Sequence, residues 1–276
     1  AYDENTNPGR PHDLKLVVGP AMLYEALKAA NTDDFDSITT DFLEDNDLYD
    51  IYVAYRDDGR VRSEKVRNGS SCGCGGTAVV GEYRYDYHDS PSSGGYNWRV
   101  VAVKQTNPDG SIRYVEVNRA GSAVLSILQS PLDQDRRWCT FYRYDQYGQI
   151  VEIYHPSACD ASNYNFASAP DNTYDPRKAG SEGLVEVYEY AYPGSSDPWI
   201  YGGRLLSRSL RQGRTGATRK IVEYTYTNPP AHIYSIKRYE KDAINAYTTW
   251  YEYTYYNNDV PVSYTHLRAH ETRHDL

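Results

Sequence analysis

Tyrosine recurs at alternate positions in short runs, and this spacing restricts what the chain can fold into. The runs read Tyr83-Arg84-Tyr85-Asp86-Tyr87, Tyr142-Arg143-Tyr144-Asp145, Tyr188-Glu189-Tyr190, Tyr224-Thr225-Tyr226 and Tyr251-Glu252-Tyr253-Thr254-Tyr255. Residues two apart on a strand share a face, so each run puts phenol rings on one side and charge or hydroxyl on the other. With 30 Tyr against 15 Leu, 4 Phe and 1 Met, a core built mainly of Leu, Phe and Met is not on offer. Mean hydropathy is −0.76, and tyrosine bridges that deficit by burying a ring while its hydroxyl keeps a polar partner. The expected class is mainly β, made of antiparallel hairpins.

Turn chemistry separates the strands. Ile51 to Arg56 and Arg60 to Val66 flank Asp57-Asp58-Gly59, whose Asp-Gly step supplies the positive φ of a tight turn. Arg99 to Thr106 and Ser111 to Val117 flank Asn107-Pro108-Asp109-Gly110, and Trp138 to Tyr144 and Gln149 to Tyr154 flank Asp145-Gln146-Tyr147-Gly148. Later pairs are Val185 to Tyr192 with Arg204 to Leu210, and Ile221 to Tyr226 with Ile233 to Tyr239; Tyr247 to Tyr256 reads as the closing strand. Pro156 to Gly183 is a long polar connection, read as a surface excursion or an insertion. Successive tyrosine runs begin 59, 46, 36 and 27 residues apart, which excludes a regular propeller or leucine-rich solenoid.

Residues 1–47 differ from the rest and are expected to form an acidic, partly helical segment. Ala21 to Ala30 suits a short helix, and Asn31 to Asp50 carries eight acidic residues with Phe35, Ile38, Phe42 and Leu43 spaced as a weak amphipathic helix. An EF-hand calcium loop is not implied, because the ligand order and central Gly are missing. Residues 1–58 carry 14 Asp and Glu against 4 Lys and Arg, whereas the remainder is close to neutral. That balance lacks the basic footprint of a nucleic-acid binder, and no apolar run has the length of a membrane span. Cys72-Gly73-Cys74 allows two thiolate metal ligands, a strained local disulfide or small residues in a tight loop. Cys139 lies in a strand and Cys159 follows the return strand of the same hairpin, so in an oxidising space these two are the expected disulfide.

Tyr144-Asp145-Gln146-Tyr147-Gly148-Gln149-Ile150 resembles the core of the YD repeat of RHS proteins, and Tyr55-Arg56-Asp57-Asp58-Gly59-Arg60-Val61 is the same phrase with Arg in the Asp place. Tyr83 and Tyr85-Asp86 begin a copy without the Gly, Tyr142 precedes the best copy, and Tyr190, Tyr226 and Tyr253 head looser ones. In physical terms Tyr anchors the strand, Asp accepts backbone N–H groups as the turn opens, and Gly takes the left-handed position. The resemblance implies a twisted or spiralling sheet over residues 48–262, part of a shell. It further implies a secreted or cell-surface setting, and as partners the flanking repeats, an encapsulated toxin domain or a surface carbohydrate. The family's self-cleaving segment is not visible, so no catalytic residue carries over and no cofactor is expected. The alternative is a binding module in which a face of Tyr83, Tyr85 and Tyr87 stacks on sugars; open coplanar rings mark that use and covered rings mark packing.

His270-Glu271-Thr272-Arg273-His274 matches H-E-x-x-H, which on a helix places two imidazoles for zinc, and His266 adds a third. A metalloprotease is the remote reading, since no downstream ligand follows and so short a helix is marginal in water. Residues 263–276 instead resemble a translated sequencing-adaptor read-through, expected to project as coil or an unsupported helix. No G-x-S-x-G elbow or phosphate loop accompanies the Ser, His and Asp residues elsewhere.

Overall fold

The structure is a computed structural model that describes residues 13–67, 80–90, 94–191, 203–226, 232–240, 246–251, 254–256, 260–262 and 268–270. The protein is mainly β and antiparallel, as its alternating tyrosines require, and among the described residues α-helix is confined to the N-terminal segment, with 3₁₀ turns also at Pro156–Ala158 and Phe166–Ser168. It divides into two compact units. The first comprises residues 1–88, 102–114 and 128–136, and the second residues 89–101, 115–127 and 137–276.

The first unit opens with β1 (Leu16–Val17), α1 (Pro20–Ala30) and α2 (Thr40–Asp45). Proline suits the first helical position, where its missing N–H costs nothing. Asn31 ends α1 in the left-handed region at φ 52, with its N–H on Lys28 O at 3.2 Å. The expected second helix over Asn31 to Asp50 shrinks to α2 and one 3₁₀ turn at Phe35–Ser37. Acidic side chains compete for the backbone there: Asp34 Oδ1 accepts from Asp36 N at 3.0 Å. Thr39 Oγ1 then starts α2 by accepting from Phe42 N at 3.2 Å. Strands β2 (Ile51–Tyr55), β3 (Val61–Arg67) and β4 (Val80–Asp89) follow, each antiparallel to the one before, with β1 on the far side of β2.

Three strands are divided between the units: β5 (Val101–Thr106), β6 (Ile112–Val117) and β7 (Ala123–Gln129). The sequence reading missed β7, which has no tyrosine; Val124, Leu125 and Ile127 are fully buried, while Ser126 is half-buried and Leu128 exposed.

In the second unit β8 (Arg137–Tyr144), β9 (Ile150–Tyr154), β10 (Leu184–Tyr190), β11 (Leu205–Gln212), β12 (Thr218–Tyr226), β13 (Ile233–Tyr239) and β14 (Ala246–Trp250) pair in chain order. The expected closing strand to Tyr256 is split: β14 ends at Trp250, and the Tyr251 N–H still follows its register by donating to Tyr234 O at 2.9 Å. Thr254–Tyr256 forms a separate β15 paired with β16 (Val260–Val262). The last described residues, β17 (Arg268–His270), are neither coil nor helix: they pair with β14 through Thr248↔His270 and Trp250↔Arg268. The open edge of β14 accounts for this, since an unpaired strand is a template for any extended segment.

Candidate functional site

The feature that repeats through both units is a five-residue turn. At Arg56–Arg60, Asn107–Ser111, Asn118–Ser122 and Asp145–Gln149 the first residue's N–H donates to the fifth carbonyl at 2.8 to 2.9 Å. The glycine in fourth place donates back to the first carbonyl, over 2.9 to 3.3 Å. Gly59, Gly110, Gly121 and Gly148 sit at φ between 79 and 84, the left-handed position of a type I turn with its glycine bulge. The register slips by one residue beside two of these turns, leaving Tyr55 opposite Val61 and Tyr144 opposite Ile150.

An acceptor side chain completes each turn in one of two ways. Asp145 Oδ1 accepts from Tyr147 N at 2.8 Å and Gln149 N at 2.9 Å, and Asn118 Oδ1 accepts from Ala120 N and Ser122 N, both at 3.0 Å. Where the first residue is Arg56 or Asn107, the aspartate in third place takes over. Asp58 Oδ1 accepts from Arg60 N at 3.0 Å and Asp109 Oδ1 from Ser111 N at 2.9 Å. Hydrogen bonds from Arg60 and Ser111 hold these two carboxyls below the ordinary range. The Asn118 turn escaped the sequence reading because Val117 stands where a tyrosine was sought; its Asn-x-x-Gly spacing was the usable signal.

Tyrosines at strand ends are latched, and two of them, Tyr55 and Tyr144, stand directly before such a turn. Tyr144 Oη donates to Ala123 O at 2.6 Å, Tyr226 Oη to Leu205 O at 2.7 Å and Tyr55 Oη to Leu14 O at 2.7 Å. Ala123 and Leu205 open the strands that precede β8 and β12, and Leu14 lies just before β1. In each case a ring at the end of an outgoing strand closes over the start of an earlier one. Burial pushes the Tyr144 and Tyr226 phenols above their usual range.

The other motif residues behave differently. Tyr83, Tyr85 and Tyr87 share a half-buried face of β4, and Asp86 lies mid-strand, opens no turn and pairs with Lys104 at 3.6 Å. Tyr85 Oη donates to Glu64 Oε2 at 3.4 Å, and burial with that carboxylate pushes its phenol up to about 12. The Tyr87 ring lies under the Arg60 guanidinium at 4.7 Å and the Arg56 guanidinium at 5.6 Å. Tyr142 is half-buried, with its backbone opposite Ile153.

The long connection of residues 156–183 is tied down by a buried polar centre. Arg99 and Glu116, 3% and 1% exposed, form an ion pair at 3.0 Å. Tyr164 Oη donates to Glu116 Oε1 at 3.1 Å, and Arg99 Nη2 donates to Tyr174 O at 2.7 Å. Asn172 both accepts from Arg99 N at 2.8 Å and donates to Arg99 O at 3.0 Å. Burial raises the Glu116 carboxyl above its usual range against the pull of Arg99. Beside this centre Cys139 and Cys159 are buried free thiols in contact with each other, and that contact together with burial pushes the Cys139 thiol far up. Cys159 Sγ also donates to Tyr154 O at 3.6 Å. The expected pair is thus brought together, without a bond between the two sulfurs.

Two open grooves have mixed walls, more apolar than polar. One, of about 590 Å³, is lined by Val66, Arg67, Gly81, Tyr83, Asn107 and Pro108, and another, of about 490 Å³, by Glu189, Ser207, Ser209 and Lys220 among others. Among the described residues no group of three or more His, Cys, Asp or Glu is arranged to hold a metal ion. Cys72, Cys74, His266, Glu271 and His274 lie outside the described residues, while the His270 backbone belongs to β17. Glu186 and Glu189 occupy opposite faces of β10: Glu186 meets His155, Tyr188 and Arg208, whereas Glu189 accepts from Ser207. No protein-family model and no curated protein matches the chain.

Proposed function

We propose that the chain is a structural repeat segment of an exported RHS-like protein, building part of a β-shell or surface filament without catalysis of its own. The carrying observation is the recurrence of one device: a five-residue turn with a left-handed glycine and an Asp or Asn acceptor, preceded at Tyr55 and Tyr144 by a latched tyrosine. That device uses the residues of the YD phrase for architecture. Its chemistry is spent on backbone groups, so flanking repeats are the natural neighbours, with an enclosed toxin domain or a surface carbohydrate as further partners.

The sugar-binding alternative is weaker because two of the three β4 tyrosines are engaged, the Tyr87 ring by Arg56 and Arg60 and the Tyr85 hydroxyl by Glu64. The zinc-protease reading has only the terminal motif behind it. The test is titration of the full chain with maltose, cellobiose and chitobiose, and separately with zinc in a casein-cleavage assay. A structural segment gives no saturable sugar binding and no cleavage. Saturable binding lost in Tyr85→Ala favours the module, and zinc-dependent cleavage lost in Glu271→Gln favours the protease.

A further inference from the structure

Residues 13–50 add little strand to the first unit yet are fastened along one side of it. β2 has one side occupied by β3, from Ile51↔Val66 to Tyr55↔Val61. On its other side β1 supplies just Leu16↔Tyr52 and Val17↔Ile51. Two further backbone bonds extend the contact, Val53 N to Lys15 O at 2.7 Å and Asp50 N to Val17 O at 2.9 Å. The Tyr55 latch to Leu14 O closes the far end. Nearly the whole outer edge of β2 is therefore covered by a segment too short to pair stably alone.

The two helices supply what β1 lacks. Leu16 is buried with Ala26 of α1, Leu43 of α2 and Tyr49, and Val18, Ile38, Phe42, Leu48 and Tyr52 pack around them. Lys15, itself buried, meets Glu44 of α2 at 2.5 Å. From β3, Arg67 donates to the carbonyls of Asp47 and Tyr49.

We propose that residues 13–50 are an edge cap: they occupy in cis the strand-addition site along β2, and the partner they exclude is a second copy of this chain. The occupant follows from β2 itself, Ile51-Tyr52-Val53-Ala54-Tyr55, which has no charge and no proline and is rich in aromatic and β-branched residues. A bare edge of that composition pairs with its own kind, two-fold symmetrically when antiparallel. The eight acidic residues between Asn31 and Asp50 add like-charge repulsion against a second copy. This inference does not rest on the proposed function; it concerns one edge whatever the sheet is for.

The test is sedimentation velocity on the full chain and on Leu16→Asp, which puts a charge where β1 is buried, with hydrogen exchange read at residues 51–55. The wild type is expected to stay monomeric. The variant's mass should double as concentration rises, with its 51–55 amides fast in the monomer and protected again in the dimer. A synthetic peptide of residues 13–50, carrying both helices, added in trans should return it to the monomer. Should Leu16→Asp lose its strand signal in circular dichroism, Glu44→Gln, which only unpairs Lys15, carries the same expectation with a later onset. A wild type as associated as the variant, or a folded variant that stays monomeric with its 51–55 amides exposed, overturns the cap.

Discussion

The Tyr144 hydroxyl donates to the Ala123 carbonyl at 2.6 Å, and Tyr226 makes the same bond to Leu205 at 2.7 Å, each spanning 21 positions. An equal span in two hairpins with different intervening loops marks a structural unit rather than a chance contact. Removing the hydroxyl leaves a carbonyl without its partner. Tyr144→Phe and Tyr226→Phe should each lower stability by about 1–2 kcal/mol, whereas Tyr24→Phe, with Tyr24 66% exposed, should stay within about 0.5 kcal/mol. Urea denaturation of the full chain measures all three, and equal effects at Tyr24 and Tyr144 contradict the latch.

Two turn glycines separate backbone strain from crowding. A Cβ on Gly121, at φ 79, meets nothing within 4 Å, so Gly121→Ala should cost about 1–2 kcal/mol from the left-handed backbone alone. A Cβ on Gly148, at φ 84, lands 2.7 Å from Tyr96 Cε1, so Gly148→Ala should cost clearly more. Denaturation midpoints in the reverse order would show that Tyr96 yields freely.

How much of this was readable beforehand follows from range. Asp145 and Gly148 were legible because the turn is local: acceptor, left-handed residue and return strand lie within five positions. The latch was not, since nothing near Tyr144 announces Ala123. Arg99 and Glu116 looked like ordinary strand charges, and only the packing of residues 156–183 over them makes them a buried pair. The helix expected across Asn31 to Asp50 was shortened to Thr40–Asp45 for a local reason, the aspartates' preference for turns.

Glu116→Gln removes the counter-charge of a buried guanidinium. A loss of about 3–5 kcal/mol is expected, together with protease nicking within residues 156–183, because Arg99 also holds Asn172 and Tyr174. Limited proteolysis followed by peptide mass mapping checks the location. Loss of stability without nicking there would mean the connection is held by other contacts.

Acid should weaken the second unit. Burial alone would raise the Glu152 carboxyl, but Arg211 and Arg143 hold it below its ordinary 4.5; Glu186 is lowered against burial by Tyr188, His155 and Arg208, and Glu223 is lowered by Lys220 and Tyr239. With folded values below unfolded ones, the unfolded chain binds more protons. Their stabilisation is full above about pH 4.5 and is lost as pH falls through the folded values. Glu116, raised by burial, acts in the opposite sense and offsets part of the loss. The urea midpoint should drop from about pH 5 to pH 3, and Glu152→Gln should flatten the drop; an unchanged midpoint contradicts the ion-pair assignment.

Cys139 and Cys159 should resist alkylation in the native state, being buried, with the Cys139 thiol pushed up. Iodoacetamide labelling mapped by mass spectrometry should find both only after unfolding. Oxidised glutathione applied during refolding should join them, with the loss of two hydrogens and a gain of about 3 kcal/mol for a loop of this length. Rapid native labelling of either, or oxidation that lowers stability, counts against the pairing.

The central claim is that the tyrosine latches act as equivalent units of one repeating device. Site-resolved hydrogen exchange on the full chain, comparing Tyr144→Phe and Tyr226→Phe with the wild type, tests it most directly. Protection should fall locally and similarly, about tenfold for each 1.4 kcal/mol lost, around residues 123–127 and 141–144 in the first variant and around 205–209 and 222–226 in the second. Unchanged protection at these sites, or an equal loss across the whole chain from either substitution, would contradict the account.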